Sequence, residues 1–180
     1  MRRFVWDYIY LLVIAGGVIL FDQWTKELVR ANLQYSETWS PWDWLAPYAR
    51  IVFWKNTGAA FGMLQGFGDL FTVLALVVAV AILYYFPQVP RREWPLRAAM
   101  GLQLGGAVGN LIDRIVHGYV TDFISIGSFP VFNVADASIT VGVAILVLGM
   151  WLKDRLHKGT PSIYPQEPGN PSVSEDLQGE

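Results

Sequence analysis

Ionisable and amide side chains set in apolar sequence are costly there, so each invites a chemical reading. Asp113, Asp122 and Asp136 are such residues, together with Arg114 and the amides Asn56, Asn110 and Asn133. Two carboxylates held close cannot both ionise easily; one pKa rises and the pair shares a proton. One member then acts as general base towards water. The other, protonated, hydrogen-bonds a scissile carbonyl and later serves the leaving amine. That is water-mediated peptide hydrolysis without a covalent intermediate. A third carboxylate paired with a guanidinium is structural, and Asp113 beside Arg114 fits that role. The amides suit orienting the carboxylates or gripping a substrate backbone. Taken singly, these residues have plainer readings. Asp113 and Arg114 fit a helix-end ion pair, Asp122 a solvated loop residue, and Asp136 the N-cap of a helix starting at Ala137.

Other chemistries fare worse. A Ser–Lys dyad needs a serine near Lys26 or Lys55; Ser36, Ser40, Ser125 and Ser128 exist, but nothing fixes their geometry. His117 and His157 fall on opposite sides of the expected bundle and there is no HExxH run, so no metal is expected, although three carboxylates can hold a cation weakly. His117 reads as a solvated loop residue. Gly66-Phe67-Gly68-Asp69 matches a short GxGD pattern, a weak signal that a turn and an N-cap at Leu70 explain. The chain has no cysteine, which removes disulfides, thiolate zinc sites and a Cys nucleophile.

The elements that must position the carboxylates are membrane spans. Hydrophobic residues make up 53% of the 180 and charged residues only 16%, against a globular norm of about 25% charged. Crossing the hydrocarbon takes about 20 mainly apolar residues. Four runs qualify, at about 4–21, 70–86, 96–116 and 131–152. The first resembles a signal peptide's n- and h-regions, but no small-x-small cleavage site follows, so it is expected to be retained. Arg2, Arg3, Arg91, Arg92, Arg97, Lys153, Arg155 and Lys158 fall in three short segments on one side of an alternating bundle, which puts both termini in the cytoplasm. None of the eight tryptophans falls mid-span, in keeping with rings that prefer headgroup depth. Asp113, counted 17 residues up the third run, is then about 25 Å from its start, near the outer boundary. Asp122, Asp136, Asn110, Arg114, Asn133 and Asn56 share that level.

The expected fold is an all-α membrane protein of four transmembrane helices, with a small β-containing periplasmic cap over 34–69 on the outer leaflet. Arg50–Trp54 is the candidate strand. Asp22–Leu33 can continue the first helix, with Asp22 and Lys26 paired at i, i+4. Gly101, Gly105, Gly106 and Gly109 mark a close-packing face of the third helix. Residues 1–158 form the membrane unit. The 159–180 tail holds four of the 15 acidic residues, four of the 10 prolines and no Lys or Arg, and reads as disordered. No basic face is present for nucleic acid.

Five stretches resemble one known family. They are Asp22-Gln23-Trp24-Thr25-Lys26, Asn56-Thr57-Gly58-Ala59-Ala60-Phe61-Gly62, the run Gly105–Arg114, Val120-Thr121-Asp122-Phe123, and Phe129-Pro130-Val131-Phe132-Asn133-Val134-Ala135-Asp136. In order and content they resemble the lipoprotein (type II) signal peptidases of bacteria. The resemblance implies a four-helix inner-membrane aspartic endopeptidase with its site near the periplasmic face. Its substrates would be diacylglyceryl-modified prolipoproteins, cut before the lipidated cysteine among membrane lipids and without a cofactor. By position, Asp122 and Asp136 match the catalytic dyad. Asn56, Asn110, Asp113, Arg114 and Asn133 match supporting or substrate-contacting residues, and Asp22 and Lys26 a structural motif. Sensitivity to globomycin-type inhibitors is implied as well. Two rivals remain. A proton or ion transporter needs polar lining through the inner half of the bundle, where only Asp7 and Arg97 are available. A membrane scaffold binding a partner through the cap needs no chemistry.

Overall fold

The computed structural model describes residues 2–58 and 68–158. The second half of the 56–62 stretch, the Gly66-Phe67 half of the GxGD match and the 159–180 tail lie outside these residues. Four α-helices dominate: α1 (Arg2–Asn32), α2 (Gly68–Tyr85), α3 (Trp94–His117) and α4 (Val134–Lys158). At 1.5 Å per residue α1 is about 46 Å long, so the first apolar run and the Asp22–Leu33 stretch are one continuous helix. Runs long and apolar enough to cross a membrane occur at Trp6–Asn32, Gly68–Gln88 and Val134–Arg155.

Helix α3 is the central element and packs against α1, α2 and α4. Its polar side chains Arg97, Asn110 and Asp113 are buried. They turn towards neighbouring helices, Arg97 and Asp113 meeting α1 and Asn110 meeting α1 and α4. Its glycines serve two faces rather than the single one expected. A Cβ on Gly105 would lie 2.8 Å from the Ala15 carbonyl of α1, whereas one on Gly106 would run into the Ala135 carbonyl of α4. Small residues let helix backbones approach on both sides. Gly118, at φ 77°, ends α3 with its N–H on the Arg114 carbonyl. That left-handed residue turns the chain back at once.

Beyond this turn the chain departs from the sequence reading. Asp122, readable as a solvated loop residue, lies instead in strand β3 (Val120–Ile126). That strand completes an antiparallel sheet with β1 (Thr38–Trp39) and β2 (Ala49–Asn56), in the order β1-β2-β3. The β2 strand contains the expected Arg50–Trp54 run. Period-2 alternation in Val120-Thr121-Asp122-Phe123-Ile124 divides β3 into two faces. Phe123 packs with Val29 and Phe53 in the core of the cap, and Val120 and Asp122 face the other way, into a cleft. A second core at the far end of the bundle joins Leu11, Ala15, Ile82, Phe86, Met100 and Leu104.

All eight tryptophans are exposed. Trp42 and Trp44 stack on each other at 6.0 Å, at the surface of the cap. The core of the cap is built from Phe and Val instead, so the outer tryptophans are not the interior of a soluble loop domain.

Candidate active site

Asp122 sits on β3, one strand from Asn56. Asn56 pairs across the sheet with Val120, so Asp122 is its diagonal neighbour on the same face. The Asn56 Nδ2 donates to Asp122 Oδ2 at 2.9 Å, while its Oδ1 accepts from the Gly58 N–H. The other Asp122 oxygen accepts from Asn133 Nδ2 at 2.7 Å. Asp122 is 1% exposed. Burial first, and then the charge of Asp136, push its carboxyl up from 3.8 to about 7; the Asn56 and Asn133 hydrogen bonds and Lys26 pull the other way.

Asp136 enters from a helix start. Asn133 precedes α4, and its Oδ1 accepts from the Asp136 N–H at 2.9 Å. The Asp136 Oδ2 reaches back to the Asn133 N–H at 3.3 Å. This reciprocal arrangement is a capping box. It corrects the sequence reading: Asn133, not Asp136, is the N-cap, and the helix starts at Val134 rather than Ala137. Asp136 is released to face the cleft, where Asn110 Nδ2 donates to its Oδ1 at 2.7 Å.

Asn110 and Asn133 link the two carboxylates. Asn133 Nδ2 donates to Asn110 Oδ1 (3.1 Å) as well as to Asp122. Lys26 decides which way Asn110 points. An ammonium only donates, so the amide oxygen must face it and the amide nitrogen must face Asp136. The Lys26 Nζ lies 2.9 Å from Asn110 Oδ1, 2.8 Å from Asp22 Oδ2 and 3.3 Å from Asp113 Oδ2. Three donors therefore meet three acceptors. Lys26, Asp22 and Asp113 are wholly buried. The expected Asp22–Lys26 pair is present, but its reach into the site by way of Asn110 was not legible. An i, i+4 ion pair is common on surface helices, and only packing against α3 and α4 buries this one.

Asp113 has a different partner from the one expected. Its ion pairs are with Lys26 and Arg30 (3.4 Å), not with adjacent Arg114. Consecutive helical residues point about 100° apart and do not face each other. Asp113 also accepts the Thr121 N–H at 2.8 Å. It therefore ties α3 to the residue before Asp122. Arg114 turns into the cleft instead, over the Phe71 ring at 5.6 Å.

The cleft measures about 620 Å³ and is lined by Asn56, Asn110, Arg114, Asp122 and Asp136, with an apolar wall that includes Phe71, Phe129, Phe132, Ile139 and Val141. All the sequence-selected site residues except Asp113 and Asn133 line it; Asn133 holds both carboxylates from behind, and Asp113 holds the Thr121 backbone beside Asp122. His117 is exposed, next to the Tyr119 ring. Asp69 lies in the first turn of α2. Among the described residues no group of three or more His, Asp or Glu can hold a metal ion. Two carboxylates on one cleft, one of them with its pKa raised to about 7, can activate a water molecule and polarise a carbonyl.

Known proteins share this architecture. A bacterial membrane enzyme solved by the in meso method at 2.3 Å superimposes with a TM-score of 0.76 at 30% identity, over 86% of this chain and 94% of that one. The lipoprotein signal peptidase of Anoxybacillus flavithermus is 41% identical over 155 residues, 82% of this chain and 88% of its own. That of Mesorhizobium japonicum is 40% identical over 147 residues, 79% and 84% of the two chains. The profile of the Signal peptidase (SPase) II family matches residues 14–152, and with these relatives it establishes that the chain belongs to that family.

Proposed function

We propose that this membrane peptidase removes signal peptides from diacylglyceryl-modified prolipoproteins, cutting before the lipidated cysteine. Asp122 and Asp136 are the catalytic dyad. The observation that carries the reading is the pair itself: two carboxylates on one apolar cleft, joined through the Asn110 and Asn133 amides. With one proton between them, the ionised member takes a proton from water and the hydroxide attacks the scissile carbonyl. The protonated member hydrogen-bonds the carbonyl oxygen as it becomes an oxyanion. Collapse of the tetrahedral intermediate breaks the C–N bond, and the proton taken from water passes to the leaving amine. Arg114 and Asn56 contact the substrate backbone or the polar part of its lipid.

The chain crosses the bacterial inner membrane four times, α3 included, with both termini in the cytoplasm and the sheet lying as a cap on the outer leaflet. A substrate anchored by its acyl chains keeps them in hydrocarbon while its scissile bond reaches the headgroup level, where the cleft opens. Globomycin-type peptides compete for the same cleft. Cleavage of a purified lipidated precursor tests the reading. Asp122→Asn and Asp136→Asn should each lower the rate roughly 100-fold or more, with the thermal midpoint kept. Full cleavage by either variant would reject the dyad.

A further inference from the structure

The end of the bundle remote from the dyad holds a second cavity, of about 240 Å³, between α1 and α3. Trp6, Asp7 and Tyr10 line it from α1, Trp94 and Arg97 from α3, and Arg91 from the turn before α3. Arg97 is its fixed point. It is 4% exposed, held by Asp7 at 2.6 Å and by the Val89 carbonyl at 2.8 Å, with its guanidinium 4.2 Å from the Phe86 ring centre. Arg91 shares the same Asp7 oxygen at 2.9 Å and is largely exposed. Among the lining residues two guanidinium groups stand against one carboxylate, which leaves the lining with a net positive charge.

The surroundings select the occupant. Trp6 and Trp94, about two-thirds exposed, form the rim. Beyond it Tyr10, Val13 and Leu20 continue an exposed apolar stripe along α1. A cationic cavity with indoles at its lip and hydrocarbon-facing surface below it meets a lipid phosphate before it meets a soluble one. We propose that this cavity binds the phosphodiester headgroup of an anionic phospholipid, with Arg91 and Arg97 on the phosphate, Trp6 and Trp94 against the glycerol, and an acyl chain along the α1 stripe. The four-span threading of the proposed function puts this cavity in the cytoplasmic leaflet; the binding itself does not rest on that threading.

Native mass spectrometry of the full chain in mild detergent tests this, with phosphatidylglycerol and phosphatidylcholine of equal chain length as probes. Wild type should retain phosphatidylglycerol with a roughly fivefold preference. Arg91→Gln should reduce that preference towards unity, and Trp94→Ala should weaken retention of phosphatidylglycerol. Both side chains are exposed, so the fold should survive, and an unchanged thermal midpoint in detergent verifies it. Inorganic phosphate at millimolar concentration should not displace the lipid; if it does so fully, the lipid assignment is overturned. Equal retention of the two lipids by wild type, or undiminished selectivity in Arg91→Gln, would also overturn the proposal. Asp122→Asn should keep the lipid adduct while losing cleavage, so the two proposals fail separately.

Discussion

Asp122 is the residue whose ionisation the fold alters most legibly. Its carboxyl is raised to about 7 from 3.8 by burial and by the charge of Asp136. A raised acid favours the protonated fold: its stabilisation is complete below about pH 4 and is lost as pH climbs through 7. Catalysis by a one-proton dyad should therefore show an alkaline limb centred near pH 7. Asn56 opposes the shift by donating to Asp122. Asn56→Ala should move that limb to higher pH, which a pH profile of precursor cleavage will detect and a purely structural role would not produce. Lys26 offers a second test. Lys26→Met leaves Asp22 buried without its cation and Asp113 with Arg30 alone, and should cost about 3–5 kcal/mol. The loss is measurable as a fall in denaturation midpoint in detergent, and Asn110 loses the charge that sets its orientation.

At the scale of elements, the site depends on how closely α3 approaches α4. Asn110 can reach Asp136 at 2.7 Å only because Gly106 allows the Ala135 carbonyl against the α3 backbone. Gly106→Ala should force the helices apart, costing roughly 1–3 kcal/mol and most of the cleavage rate. Gly17→Ala is the control. Nothing lies within 4 Å of a Cβ built there, and the substitution should leave cleavage intact with equal or slightly higher stability. Strand β3 is the element that sequence reading misses. Its seven residues are flanked by Gly118 and by the Gly127-Ser128 turn, and they read as a polar connection because Thr121, Asp122 and Ser125 interrupt the apolar pattern. Those three are buried, with Arg30 donating to Thr121 and the Asn56 and Asn133 amides donating to Asp122.

For the whole molecule, threading sets the depth of the cleft. Three helices are apolar enough to span by composition, and α3 carries its polarity inward. The chain has no cysteine, so single cysteines report cleanly. Arg92→Cys, before α3, and Ser128→Cys, after β3, are both at exposed positions. An impermeant maleimide applied to intact spheroplasts should label Ser128→Cys alone, with Arg92→Cys labelled only after lysis. Labelling of both from one side would mean that α3 does not cross, and would remove the proposed depth of the cleft.

Hydropathy already specifies the apolar helices, and the motif residues already name the side chains that meet at the cleft, because those depend on composition and local spacing. Partnership was decided elsewhere. Asp113 pairs with Lys26 and Arg30 rather than Arg114, Asn133 caps α4 rather than Asp136, and Lys26 orients Asn110. Each of these contacts except the α4 cap joins residues from different helices or strands, and whether two such residues meet depends on helix rotation and sheet register, which only the packed chain sets.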